Sequence, residues 1–231
     1  KTEVVIYLIF MSPNPFDPSF DQLPEIISIF PLTGVLLLPR GKLPLNIFEP
    51  RYLAMTDDAL SGNRMIGIIQ PSDPLSRASA PPVYPIGCAG RITSFSETDD
   101  GRYLITLTGV CRFETVRELP IVRGYRRVTA SWERFAGDLA EPGPALFDRA
   151  RLVEGLRTYF KIQGISANWD AIEATPDERL VTSLAMICPF EPSEKQALLE
   201  CGTLSERAGM MIAIIEMAVL DKRDGDTMAR H

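Results

Sequence analysis

Gly87-Cys88-Ala89-Gly90-Arg91-Ile92-Thr93-Ser94-Phe95 is followed by Asp99-Asp100-Gly101 and then by Tyr103-Leu104-Ile105-Thr106-Leu107-Thr108-Gly109. In both outer runs apolar and polar residues alternate, and a turn tripeptide lies between them, which predicts an antiparallel hairpin. The flanking text extends the same sheet. Upstream, Ile26–Phe30, Val35–Leu38 and Met65–Ile69 are short apolar runs broken by Pro31, Gly34 and Pro39, as expected of buried strands. Downstream, Arg112–Val116 and Tyr125–Trp132 continue the pattern. One helix is expected among the strands, over Arg51–Ser61, because Tyr52, Met55 and Ala59 or Leu60 recur near helical spacing and Gly62 suits its end. Pro71–Pro85 reads as an exposed loop. Many short strands around one helix predict a strongly curved sheet or pseudo-barrel.

The pattern changes at Gly137–Pro144, and the rest of the chain reads as helix. Ala145–Gln163 places Leu146, Phe147, Ala150, Val153, Leu156 and Phe160 on one face. Thr175-Pro176-Asp177-Glu178, Ser193-Glu194-Lys195-Gln196 and Thr203-Leu204-Ser205-Glu206 have the form of helix starts with capping boxes. Ala208–Leu220 is apolar nearly all round, with Glu216 its only charge, so it is expected to be buried or to meet a partner. Three regions result: an extended, proline-rich lead-in over 1–25, a β subdomain over 26–136 and a helical subdomain over 145–222. Lys1–Phe10 precedes a natural-looking start at Met11 and is read as an added or upstream segment, although Val4–Phe10 has strand character.

The chain has 231 residues, a formal charge of −6 and 45% hydrophobic residues, which is ordinary for a globular protein. The negative balance disfavours nucleic acid; Arg123-Gly124-Tyr125-Arg126-Arg127 is the one local cluster that supports an RNA reading. Cys88, Cys111, Cys188 and Cys201 sit among apolar neighbours with no CxxC spacing and are read as reduced core residues in a cytoplasmic protein. The single histidine is His231, so neither a His-dependent nucleophile nor a zinc site is expected. No GxSxG elbow, P-loop or dinucleotide fingerprint occurs. Lys161 and Lys195 are placed on polar helix faces, which leaves no Ser-Lys dyad. Asp57-Asp58 and Asp99-Asp100 are read as a solvated helix face and a turn. No catalytic residue, cofactor or metal is expected, and no apolar run is long enough to span a membrane.

The run Phe30-Pro31-Leu32-Thr33-Gly34-Val35-Leu36-Leu37-Leu38-Pro39-Arg40-Gly41, followed by Leu43-Pro44-Leu45-Asn46-Ile47-Phe48-Glu49-Pro50-Arg51-Tyr52, resembles the opening of the substrate-binding domain found at the N-terminus of bacterial Lon proteases. Gly87–Ile92, Asp100–Gly109 with Cys111-Arg112-Phe113, and Lys195–Glu200 followed by Arg207 resemble later family motifs, so the likeness runs from Ile26 to Leu220. The resemblance implies an α+β fold: a PUA-like β pseudo-barrel with one inserted helix, followed by a C-terminal helical subdomain. It also implies binding of unfolded or tagged polypeptides, as in protein quality control, without the ATPase and peptidase that follow this domain in full-length Lon.

Residue by residue, Phe48 and Tyr52 are expected to anchor the helix to the sheet, and Glu49 and Arg51 to pair within the fold. The sharper expectation is that Phe48, Glu49, Arg51 and Tyr52 rim a peptide groove, with Arg91 and Arg112 on flanking strands reading carboxylates; otherwise those two arginines decorate a solvated face. The competing function is a structural or regulatory protein that self-associates, or binds a protein partner, through Ala208–Leu220.

Overall fold

A computed structural model of the chain describes residues 17–73, 75, 76, 78, 80–141, 143 and 146–228, with side chains to 222. Val4–Phe10, Met11, Ala145 and His231, on which expectations were placed, lie outside the described residues. The described residues form two compact units, one within 17–142 together with 190–199, the other within 143–189 together with 200–228.

The first unit holds the sheet: β1 Ile26–Pro31, β2 Lys42–Ile47, β3 Met65–Pro71, β4 Val83–Glu97, β5 Tyr103–Val122 and β6 Tyr125–Ser131, with α1 Pro50–Ser61 after β2. The strand order is β2-β5-β4-β3-β1-β6, and β5 also pairs with β6. Strands β1, β3, β4, β5 and β6 therefore close a ring, and β2 lies outside it on the first half of β5. The expected hairpin is β4–β5, with Gly101 at φ 78° in its turn. There Thr98 accepts from the Arg102 N–H at 3.1 Å, and Arg102 and the Thr98 hydroxyl hold the Asp100 carboxyl down at about 2.

One strand expectation needs correction, and one strand was not foreseen. Val35–Leu38 is not a strand. Leu36, Leu37 and Leu38 are buried, but they belong to an irregular loop, with Leu37 against Gly90 and Leu38 against Gly109. An apolar run reports burial and is silent on whether the backbone joins a ladder. Conversely, Lys42–Ile47 is a strand although Pro44 stands in its middle. Proline is tolerated there because β2 is an edge strand.

The loop and β5 pass at close quarters at Gly109. Its N–H donates to Gly41 O and its carbonyl accepts from Arg40 N, both at 2.8 Å. A Cβ at residue 109 would fall on the carbonyl oxygen of Leu38. Gly87 plays a similar part beside the fully buried Phe113, whose ring would lie 2.6 Å from an added Cβ.

Helix α5, Pro192–Glu200, joins this unit through a buried polar network. Gln70 Oε1 accepts from Gly34 N at 3.2 Å, and its Nε2 donates to Pro192 O at 3.1 Å and to Gln196 Oε1 at 3.2 Å. Gln196 Nε2 donates in turn to Ile86 O. Lys195, expected on a polar face, is buried, and its ammonium donates to Gly34 O at 2.9 Å. The capping box of α5 opens at Glu191, whose N–H meets Glu194 Oε2 at 2.8 Å, and not at Ser193.

The second unit contains α2 Arg149–Gln163, α3 Trp169–Ala174, α4 Asp177–Ile187 and α6 Leu204–Met228. Helix α2 begins later than its apolar pattern suggests, because Asp148 caps it by accepting from Arg151 N at 2.9 Å. Its buried face is Leu152, Leu156, Tyr159 and Phe160, while Leu146 is exposed. Thr175 ends α3 and does not start α4: its hydroxyl donates to Ala171 O at 2.6 Å. Arg149 fastens α2 to this turn through Asp177 and the carbonyls of Ile172, Glu173 and Thr175. The Thr203–Glu206 box forms reciprocally, both bonds at 3.1 Å.

Replacing Gly109 by alanine is expected to lower stability by about 3 kcal/mol, because backbone and not a flexible side chain must give way. The same change at Gly137, where an added Cβ meets nothing within 4 Å, is expected to cost under about 1 kcal/mol. Urea unfolding of the two variants side by side measures the difference.

Candidate peptide-binding site

The stretch from Ile47 to Tyr52 turns the chain from the edge strand β2 into helix α1. Pro50 at the first helical turn lacks a donor that would find no partner there anyway. Tyr52 faces inward: it is buried, and its ring lies 4.0 Å from that of Phe30 on β1. Burial pushes its phenol above the ordinary range, and the neighbouring Arg51 partly offsets the shift. Arg51 lies over the outer side of the same ring at 4.6 Å and pairs with Glu49 at 2.8 Å. Phe48 has no such seat. It is 63% exposed, so the expectation that it anchors the helix fails, while Tyr52 does anchor it.

Around this point the surface is organised by two acids. Asp58 accepts from Tyr125 Oη at 2.7 Å and from Arg123 at 2.5 Å, and Arg123 also reaches Asp57 at 4.0 Å. A hydrogen bond to Asp57 pushes the phenol of Tyr103 above its ordinary range. Asp57-Asp58 is therefore the point where helix α1 holds the β5–β6 turn and the far end of the hairpin. Sequence alone offered only a solvated helix face, since the partners lie far away along the chain.

The part of the sheet outside the ring has a second surface. Cross-strand register places Pro44 opposite Thr106 opposite Ser94, and Asn46 opposite Leu104 opposite Ser96. These six side chains share one face by strand alternation and line a shallow trough of about 510 Å³. Leu104 is 46% exposed within it. Phe48 follows directly after β2 and is not among the residues that line the trough.

Arg91 and Arg112 do not join this surface. Arg91 is half-buried and holds Asp17 at 3.0 Å. Arg112 is only 3% exposed, so the solvated face expected for it is also wrong. Its Nε and Nη2 donate to the two carboxylate oxygens of Asp138 at 2.9 and 2.7 Å, its Nη1 donates to Leu199 O at 2.9 Å, and its guanidinium lies 4.4 Å from the Phe135 ring centroid. Asp138 lies in the stretch Gly137–Pro144, where the sequence pattern changes, and carried no signal of this role. Beside the pair, burial and the Asp138 charge push the Cys111 thiol up to about 12, so little of it is thiolate at neutral pH.

The arginine cluster that supported an RNA reading is largely engaged within the chain. Arg123 meets the acids of α1, and Arg126 grips Glu118 with two bonds of 2.7 Å and Pro81 O at 2.8 Å. Among the described residues no group of His, Cys, Asp or Glu could hold a metal ion, and no helix is long and apolar enough to cross a membrane.

Alanine at Asp138 leaves the Arg112 charge buried without its carboxylate and is expected to cost about 3–5 kcal/mol in denaturant unfolding. Hydrogen bonds from Arg126 hold Glu118 below the usual carboxylate range. Its contribution to stability is therefore complete above the unfolded pKa and is lost as pH falls through the folded value. Glu118→Gln is expected to melt below the parent at about pH 7, with the gap closing towards about pH 3; calorimetry across that range tests the sign.

The family of ATP-dependent protease La (LON) substrate-binding domains matches residues 26–217 of the chain. Lon protease 2 of Myxococcus xanthus is 23% identical over 203 residues, which is 84% of this chain and 24% of that protein. The Lon protease of Desulfosudis oleivorans is 31% identical over 97 residues, 41% of this chain and 12% of that protein. The chain thus spans a quarter or less of these two relatives. Among solved structures, a Lon N-terminal domain protein from Xanthomonas campestris superposes with a TM-score of 0.55 at 22% identity, covering 81% of this chain and 97% of that one. The N-terminal domain of a Mycobacterium avium complex Lon protease gives 0.58 at 15%, covering 83% and 98%.

Proposed function

The chain belongs to the LON substrate-binding domain family, and from that premise we propose that it recognises unfolded or tagged polypeptides without transforming them. Phe48 is the observation that carries this reading. A large aromatic side chain is held 63% exposed on a base made rigid by Pro50, the Tyr52–Phe30 stack and the Arg51–Glu49 pair. Rigid aromatic anchors dominate binding energy at interfaces. Arg51 and Glu49 flank it with one charge of each sign, suited to peptide ends or side chains at the rim. The role is that of an adaptor in protein quality control, working in the reducing cytoplasm that four free cysteines suit. Two groups that could have taken part in chemistry serve the fold: burial pushes the Cys111 thiol up to about 12, and the Lys195 ammonium is seated on a backbone carbonyl.

A second reading has its own observation. Met210, Ala213, Met217 and Leu220 lie on one exposed side of α6 at coiled-coil spacing. Assembly through that stripe would make the protein a structural partner; a monomer by light scattering at about 100 μM, above the range of a specific interface, would dismiss it.

Reduced, carboxymethylated lactalbumin serves as the polypeptide probe. Phe48→Ala is expected to keep its melting temperature within about 2 °C of the parent while binding the probe about tenfold more weakly. Equal binding by parent and variant, or none by the parent, refutes the reading.

A further inference from the structure

Strand β2 pairs with β5 on one side, and no strand lies on its other side among the described residues. Which backbone groups face that open side is set by the register. Gly41 opposes Gly109 and accepts its N–H, so odd-numbered residues of β2 turn their backbone groups to β5 and even-numbered ones turn outwards. Lys42 and Asn46 therefore each present an N–H and a carbonyl to the outside, and Pro44 presents a carbonyl alone. Pro44 and Asn46 are not buried, so these groups are accessible.

We propose that the open edge of β2 receives an extended segment of a bound polypeptide as an additional strand. This rests on the polypeptide-recognition reading and names how the site holds its ligand. The edge offers five backbone groups at a spacing that only an extended main chain can satisfy together. The surroundings select what that chain carries. On the trough side, an incoming strand extends the rows Pro44–Thr106–Ser94 and Asn46–Leu104–Ser96. A side chain opposite Asn46 extends the row that Asn46 and the half-exposed Leu104 begin, next to the uncharged Asn46 and away from Lys42. The missing donor at Pro44 leaves one carbonyl of the incoming strand without a partner. Continuous pairing along the edge is thereby penalised, while a short segment anchored near Asn46 is not. Main-chain bonds make the capture tolerant of sequence, as a module meeting many unfolded chains requires.

The test is Asn46→Pro. The N–H that it removes faces outwards, so the ladder to β5 is kept, and the new ring obstructs the incoming strand. The variant is expected to melt with the parent and to bind reduced, carboxymethylated lactalbumin about tenfold more weakly. A heptapeptide of alternating valine and threonine is expected to compete with that probe on the parent protein. The same peptide N-methylated at every amide is expected not to compete, and this arm needs no variant. If the parent binds the probe but Asn46→Pro binds it equally and the methylated peptide competes, the edge proposal falls and recognition through Phe48 stands. If the parent binds no polypeptide, both fall. A concentration-dependent dimer that Asn46→Pro abolishes would assign the edge to a second copy of the chain and overturn the proposal.

Discussion

One continuous strand has to serve three partners, and much of the sheet unit is a consequence. β5 runs twenty residues. Tyr103–Thr108 pairs with β2 on one side, residues up to Glu114 pair with β4 on the other, and Glu114–Val122 turns to β6. A flat strand could not do this. Register shifts between Ala89 and Gly90, Ile92 and Ser94, and Thr115 and Arg117 supply the bends, since each bulge increases twist locally. The bends let β6 return to β1 and close the ring, and they leave the first half of β5 projecting with β2 beside it. The projecting half is where apolar side chains and unpaired backbone are left at the surface.

The middle of β5 is also where the chain buries its charge. Arg112 comes where the strand is covered on both faces, so its guanidinium has to be neutralised inside the fold. Asp138 and Leu199 O do this, drawing the segment after β6 and the end of α5 onto the strand. A buried pair of this kind adds little net stability, because desolvation consumes most of the attraction, but it tolerates few alternative arrangements. Arg126 and Arg149 repeat the device with carboxylates and backbone carbonyls. Cations that could have drawn a phosphate or a peptide carboxylate are thus fastening elements together, and the surface left for recognition is apolar and backbone in character.

How far the sequence could be read depends on which signals are local. The hairpin, helix α1 and the Thr203–Glu206 box are set by alternation, helical spacing and capping within a few residues, and they form where expected. Val35–Leu38 misled because burial and strand pairing leave the same apolar trace. Of the two aromatics expected to anchor α1, Tyr52 packs and Phe48 protrudes, because aromatic character cannot tell a ring that packs from one that does not. Arg112, Lys195 and Asp57-Asp58 were misjudged together. Polar residues read as solvated unless their partners are known, and these partners lie up to 161 positions away.

Pro44 is the most informative of these failures. By local rules a proline in the middle of Lys42–Ile47 argues against a strand, and that hid β2. The rule concerns the donor that proline lacks, which matters only if a neighbouring strand needs it. In β2 the missing donor points away from β5, so the ladder on that side is intact. The same geometry that made the strand hard to see from sequence therefore identifies its outer side. Proline occupies an outward position, and the flanking outward positions, Lys42 and Asn46, keep both of their backbone groups. An edge built only to repel other strands would be expected to carry charge or a bulge at those positions too. Here one has a lysine and the other an uncharged asparagine, with the half-exposed Leu104 alongside, so the obstruction lies at the centre and the lysine end, and the end at Asn46 remains open to a short extended chain.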